Sequence, residues 1–230
     1  FWHGHFATSA QKVRDPYFMW LQNDTFRSNA LGDWQTMLED VTKDPAMLFW
    51  LDQAQSNRRK PNENFAREVM ELFTMGVGNY SEADVREAAR AFTGWNFENL
   101  DFVVHPTLHD EDAKTFLGQT GNFDGVDVIK IILEQPVTAE YIAGKIYRFF
   151  VREDLSPALQ AELGAIFRDH NYELRPLLET IFRSRDFYSQ ATYGHHIKGP
   201  VEHVVTLLKH LGADDIPGVP DFNQTTIALG

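Results

Sequence analysis

Charged side chains that could do acid–base chemistry are concentrated in residues 61–75. Glu63, Arg67 and Glu71 are spaced four residues apart, and Glu68 directly follows Arg67. Residues three and four apart are neighbours on a helix surface, so these carboxylates would crowd around one guanidinium. Such crowding raises a carboxylate pKa or attracts a cation. The four residues are therefore candidate catalytic groups; the alternative is a helix whose charges are simply solvated.

The apolar residues of the same stretch indicate the helix that would position these groups. At 100° per residue they share one face: Phe65, Ala66, Val69, Leu72 and Phe73. The helix is expected to run from near Pro61 to about Met75, before two glycines that permit it to end. Ser81-x-x-Asp84 is a variant of the capping box and predicts a second helix to Phe92. Together the two helices would form an αα-hairpin.

Imidazole groups near the start of the chain are candidate metal ligands. His3 and His5 are two residues apart. In an extended segment both rings would point the same way, as a chelating pair does, whereas on a helix they would diverge. The alternative is a packed aromatic segment in which one histidine is hydrogen-bonded.

The helical period disappears between residues 96 and 124. Residues 101–105 and 114–117 have the composition of two short strands, joined by an acidic loop over 106–112. This pattern predicts one β-hairpin inserted between helices. His109 and Asp110 in the loop are further candidate metal ligands, although an acidic loop is also a common solvated connector.

The stretch PNENFAREVMELFTMGVGNYSEADVREAARAFTGW at residues 61–95 closely resembles the signature of an exported bacterial family known as domain of unknown function 1800 (DUF1800). Further supporting pieces span nearly the whole chain in the expected order: FWHGHF at 1–6, His109-Asp110 with Lys114, and IKGPVE at 197–202. Gly4 stands where the family is expected to have Asn. The resemblance implies a periplasmic or extracellular protein of which this chain is an internal piece. It implies no settled activity.

Composition excludes several classes of function. The 230 residues carry a net charge of −12, which disfavours nucleic acid and anionic membrane surfaces as partners. There is no cysteine, so a metal site would have to use His, Asp, Glu or carbonyl oxygen. No run of eighteen apolar residues is long enough to span a bilayer. Nucleotide-binding loops and the common hydrolase motifs are also missing from the sequence.

These patterns predict a mainly α fold, an irregular multi-helix domain with a small β-hairpin insertion around residues 97–120. Aromatic residues of a helix over 16–27, including Tyr17 and Trp20, are expected in its core. We expect one domain over 1–230, made of a helical part at 1–95, the insertion at 96–125 and C-terminal helices at 126–230.

Two hypotheses about function follow. In the first, the glutamate-rich helix face meets His3, His5, His109 and Asp110, with Lys198 at the border of the same cleft, and forms a hydrolytic site with or without a divalent metal ion. In the second, the chain is a non-enzymatic binding or assembly module outside the cell. Its partner would then be an extracellular polymer or another protein. The sequence leaves the oligomeric state open.

Overall fold

A computed structural model describes residues 1–212 of the chain. Its α-helices are α1 Trp2–His5, α2 Ala10–Val13, α3 Pro16–Ser28, α4 Trp34–Lys43, α5 Pro45–Trp50, α6 Glu63–Glu68, α7 Glu82–Ala91, α8 Gly125–Glu134, α9 Pro136–Phe150, α10 Pro157–Asp169, α11 Leu174–Arg183 and α12 Pro200–His210. A π-helix, Val69–Met75, continues α6 directly. We call α6 and this π-helix together the signature helix. The strands are β1 Trp95–Glu98, β2 Asp101–Val104, β3 Lys114–Phe116 and β4 Gln119–Gly121.

The architecture confirms the predicted mainly α fold with a small β insertion. Most helix starts follow from short polar caps in the sequence, as expected. Asp44 precedes Pro45 and accepts the Met47 amide, while Ser81 and Asp84 form the reciprocal capping box of α7. Residues 213–230, which the predicted single domain includes, lie outside the described residues.

The π-helix was not anticipated, and it corrects the predicted apolar face. An i→i+5 turn contains more residues than an α-turn, so side chains after Glu68 fall out of the 100° pattern. As a result Leu72, expected in the core, is 46% exposed, whereas Met70 is fully buried. Thr74 supports the wider turn because its hydroxyl donates to the Val69 carbonyl five residues back.

The β insertion consists of two hairpins, so the strand pairing predicted from the sequence was wrong. Strands β1 and β2 pair antiparallel, and β3 pairs separately with β4. Each pair is closed by a short turn that uses the left-handed region, at Asn99 in the first and at Leu117 and Gly118 in the second. Local pairing prevails because closing a two-residue turn costs less entropy than closing the 106–112 loop.

The helices bury one continuous apolar core, in which the signature helix occupies the centre. It packs against α7 on one side and α9 on the other, and α9 in turn packs against α10. The predicted core positions Tyr17 and Trp20 are exceptions, being 50% and 55% exposed. Their rings stack on each other on the outer face of α3 instead. Within the described residues, no helix combines the length and apolarity needed to cross a bilayer.

Candidate functional site

A cleft of about 550 Å³ lies between α1, the second half of α9 and the segment that precedes α12. Its walls are mainly apolar and aromatic, but cationic and imidazole groups converge on it. Among the lining residues are Phe1, His5, Lys145, Arg148, Phe149 and His196. Apolar concave sites of this size with few polar groups are typical of small-molecule binding sites.

His5 is the buried polar group of the cleft. Its Nε2 lies 3.0 Å from the Phe73 carbonyl oxygen, and because a carbonyl only accepts, Nε2 must carry the proton. The other ring nitrogen, Nδ1, is buried and has no partner among the described residues. Burial, helped by the positive charge of Lys145, lowers the pKa of His5 to about 3 against the opposing hydrogen bond to Phe73. The ring is therefore neutral, with an unshared acceptor.

Lys145 is the second polar group, and its surroundings are poor in counter-charge. Its side chain is half-buried, and this desolvation lowers the pKa of its ammonium. The ammonium lies 5.3 Å from the centre of the Tyr141 ring. In residues 1–212 it makes no ion pair and no hydrogen bond. The neighbouring Arg148, by contrast, donates to the Gln160 side chain at 3.0 Å.

The end of the signature helix adjoins this cleft. Two carbonyl groups near its end accept hydrogen bonds from side chains of other helices. The Phe73 carbonyl accepts from His5, and the Leu72 carbonyl accepts from the Tyr141 hydroxyl at 3.3 Å. Gly76 stops the helix with φ +76°, and a Cβ there would lie 2.9 Å from the Tyr141 ring. The end of the signature helix therefore packs against Tyr141, which lies one turn before Lys145 on α9.

The predicted catalytic residues lie on the outer face of the signature helix. Arg67 makes a bidentate ion pair with Glu82 of α7, with N–O distances of 2.8 and 2.7 Å. Glu71 accepts from the Tyr80 hydroxyl. Burial and this hydrogen bond raise the pKa of Tyr80 to about 12.

Glu68 is the member of the group with the perturbed carboxyl. Partial burial, followed by the neighbouring charge of Glu71, raises its pKa, while Arg67 acts in the opposite direction. The structure therefore brings Arg67, Glu68 and Glu71 together, but with Tyr80 and Glu82 as their partners. Glu63 is exposed at the start of α6, and Lys198 is exposed just before α12.

The predicted metal ligands do not converge. Residues 2–5 form a helix, so the extended arrangement in which His3 and His5 would chelate is wrong, and their rings diverge. His3 is exposed and bonded to the Asn23 side chain at 2.8 Å. In the part of the chain that the structure describes, no three His, Asp or Glu side chains are placed to hold a metal ion.

His109 and Asp110 lie instead at the end of α7, where they fasten the insertion. His109 donates from Nδ1 to the Thr93 carbonyl at 2.8 Å. Asp110 pairs with Arg90 through two hydrogen bonds of 2.8 and 3.1 Å, and Arg90 lowers the pKa of this carboxyl. The buried Lys114 donates to the backbone carbonyls of Asp110 and Asp112. His109, Asp110 and Lys114 therefore have a structural role, since their hydrogen bonds hold the β insertion against the end of α7.

Sequence reasoning missed Lys145 and Tyr141, although a signal was present. Tyr141, Lys145 and Phe149 are spaced four residues apart on α9, so all three fall on one helix face. A lysine between two aromatic residues on an otherwise inward-facing stripe is unusual, because an ammonium is costly to bury without a partner. That position could have been selected as a candidate before the fold was known.

Comparison with known proteins adds a family but no activity. The profile of a family described as "Protein of unknown function (DUF1800)" matches residues 1–229. No curated protein and no solved structure gives a significant match. Because the match covers essentially the whole chain and includes the signature helix, α7 and the residues of the cleft, the chain belongs to the DUF1800 family.

Proposed function

We propose that the cleft between α1 and α9 binds a small ligand with an apolar body and an anionic group. The observation that carries this proposal is Lys145, a half-buried ammonium with no carboxylate partner among the described residues. A desolvated cation is stabilised when an anion arrives, so the site gains most from a ligand that supplies the missing charge.

The remaining lining supports the same ligand chemistry. Phe1 and Phe149 pack edge-to-face at 5.3 Å and provide an aromatic wall for an apolar body. Arg148 adds a second cation to the cleft, and Glu153 is the one carboxylate among its lining residues. The cleft is thus locally cationic on a chain whose net charge is −12. This contrast favours a specific anion site over general attraction to anions.

Binding of 1-anilinonaphthalene-8-sulfonate tests the proposal, since this fluorescent probe combines an apolar body with an anion. We expect saturable binding at one site, weakened at least about tenfold in Lys145→Met, because one buried charge-assisted contact is lost. Lys130→Met is the matched control, since Lys130 is exposed on α8 and only 3.8 Å from Asp127. Equal binding by wild type and Lys145→Met would refute the proposed site.

A hydrolytic function is the second candidate, and Glu68 is the observation that favours it. A carboxyl with a raised pKa beside the carboxylate of Glu71 is the arrangement of a general acid and a general base. The metal-assisted version has less support, because the expected imidazole ligands do not converge. The hydrolytic function would be supported if the protein hydrolysed nitrophenyl esters or glycosides and this activity were abolished in Glu68→Gln but kept in Glu63→Gln. No turnover of either substrate class would count against it.

We further propose, from the family resemblance alone, that the protein acts outside the cytoplasm. An extracellular polymer or a partner protein would then be the source of its ligand. Fractionation of cells expressing the full-length gene checks this location. Recovery of the product with a cytoplasmic marker would exclude it.

A further inference from the structure

A second cavity, of about 520 Å³, lies between the loop that precedes the signature helix and the loop that precedes β3. Arg58 and Arg59 line it from the first loop. Glu111 and Asp112 line it from the second loop. We propose that this charged cavity binds a small zwitterion, a molecule that carries both an ammonium and a carboxylate, as the two ends of a short peptide do. The site is separate from the cleft between α1 and α9, with which it shares no lining residue.

Backbone contacts position both loops of the charged cavity. Residues 57–60 form a tight turn, in which the Asn57 side chain accepts from the Arg59 amide at 3.1 Å. The Arg58 amide donates to the Leu108 carbonyl at 2.8 Å and so ties this turn to the second loop. The second loop is in turn hydrogen-bonded to the end of α7. The charged side chains are therefore brought to one cavity by the fold, and not by ion pairs between them.

The charges of the cavity remain available to a ligand. Within residues 1–212, neither arginine side chain makes an ion pair or a hydrogen bond, and the same holds for the carboxylates of Glu111 and Asp112. All four side chains are exposed. The adjacent carboxylate of Asp110 is not available, because Arg90 already pairs with it through two hydrogen bonds. The cavity therefore offers two free guanidinium groups and two free carboxylates.

This balance of charge selects a zwitterion over a simple anion or cation. A guanidinium presents parallel N–H donors that match a carboxylate, and the carboxylates of the second loop are acceptors for an ammonium. A ligand with a single charge is attracted by one pair of residues and repelled by the other, whereas a zwitterion is attracted by both. Since the four side chains are exposed, water screens these contacts, and we expect a dissociation constant of about 1 mM.

Three ligands of nearly equal size test the proposal. Glycylglycine carries both charges, glycylglycinamide lacks the carboxylate, and glycoloylglycine has a hydroxyl in place of the ammonium. Each is titrated into isotope-labelled protein while the amide resonances of residues 57–60 and 109–112 are followed by NMR. We expect glycylglycine to shift the resonances of both loops and to bind at least about threefold more tightly than either analogue. Lys145→Met should bind it as wild type does, because the other cleft is not involved.

Two double variants separate the two halves of the charged cavity. Arg58→Gln/Arg59→Gln should bind glycylglycine no more tightly than glycylglycinamide, because nothing then recognises the carboxylate. Glu111→Gln/Asp112→Asn should bind it no more tightly than glycoloylglycine. Arg175→Gln is the control, since Arg175 is exposed on α11 and lines neither cavity; it should keep the wild-type preferences. Equal binding of the three ligands by wild type, or resonance shifts confined to other residues, would show that these charges are only solvated. That result would overturn the zwitterion site and leave the proposed function of the cleft untouched.

Discussion

Asp44 is predicted to destabilise the folded protein at neutral pH, although it caps a helix. The side chain is 5% exposed, and its Oδ1 accepts from the Met47 amide at 2.9 Å and from the Gln22 side chain at 2.8 Å. Burial outweighs these hydrogen bonds and raises the pKa of Asp44 from 3.8 to about 6. The folded state therefore binds this proton more tightly than the unfolded state does.

The sign and size of the effect follow from that pKa. For a raised carboxyl pKa, stability is highest below about 3.8 and is lost as the pH rises through about 6. The gap between the two values, at 1.36 kcal/mol for each pH unit, gives a cost of about 3 kcal/mol at pH 7.5. At pH 4.5 the cost is only about 1 kcal/mol, because the folded carboxyl is then protonated.

Asp44→Asn should remove this cost, since an amide resembles the protonated acid and its oxygen can still cap the helix. We expect the variant to be more stable than wild type by up to about 3 kcal/mol at pH 7.5, with most of the gain gone at pH 4.5. Urea unfolding at both pH values measures the difference. Every other titrating group is shared by the two proteins, so the comparison isolates Asp44.

Asp15→Asn provides the control, because Asp15 caps α3 through the Tyr17 and Phe18 amides at a site that water reaches. This variant measures the effect of replacing a carboxylate by an amide at a helix cap that is not buried. Loss of stability in Asp44→Asn at pH 7.5, or an equal change at both pH values, would show that burial does not dominate at this residue. The reasoning would then be refuted.

Two further changes test contacts that hold the β insertion and α8 to the rest of the fold, away from the cleft. Gly125→Ala places a Cβ 2.3 Å from a buried tryptophan ring and should lower the free energy of unfolding by about 1–3 kcal/mol, whereas Gly32→Ala meets nothing closer than 3.8 Å and should have little effect in thermal unfolding. Arg90→Leu leaves Asp110 unpaired and should cost about 1–3 kcal/mol, with faster hydrogen exchange in the insertion. Arg86→Leu, exposed on the same helix, should change stability by less than about 0.5 kcal/mol. Similar exchange rates in the two arginine variants would contradict the structural role of Asp110 at the end of α7.

The helices were predictable because their signals are local. A capping box such as Ser81 with Asp84, or an Asp44-Pro45 pair, specifies a helix start within four residues of sequence. The exposed position of Leu72 was not predictable in the same way. A π-turn depends on what its side chains and carbonyls contact, and those partners, His5 and Tyr141, are remote in the chain.

The cleft was only partly predictable for the same reason. His5 was selected from a two-residue spacing, but for metal chemistry that needs an extended segment. Its actual neighbour, Lys145, comes 140 residues later. Arg67, Glu68 and Glu71 of the signature helix were predicted to lie together, yet two of their partners, Glu82 for Arg67 and Tyr80 for Glu71, lie beyond the helix end. Short-range patterns identify such groups, whereas only the fold determines which of them meet.

The closing of the signature helix by His5 and Tyr141 also bears on how the chain assembles during synthesis. The carbonyls of Leu72 and Phe73 receive their partners from a segment made before the helix and from one made well after it. A nascent chain that has emerged only as far as the end of α7 still lacks Tyr141, so the Leu72 carbonyl has no partner yet. Ribosome-bound intermediates should therefore remain sensitive to protease near Gly76 until α9 leaves the exit tunnel, and then become resistant in one step.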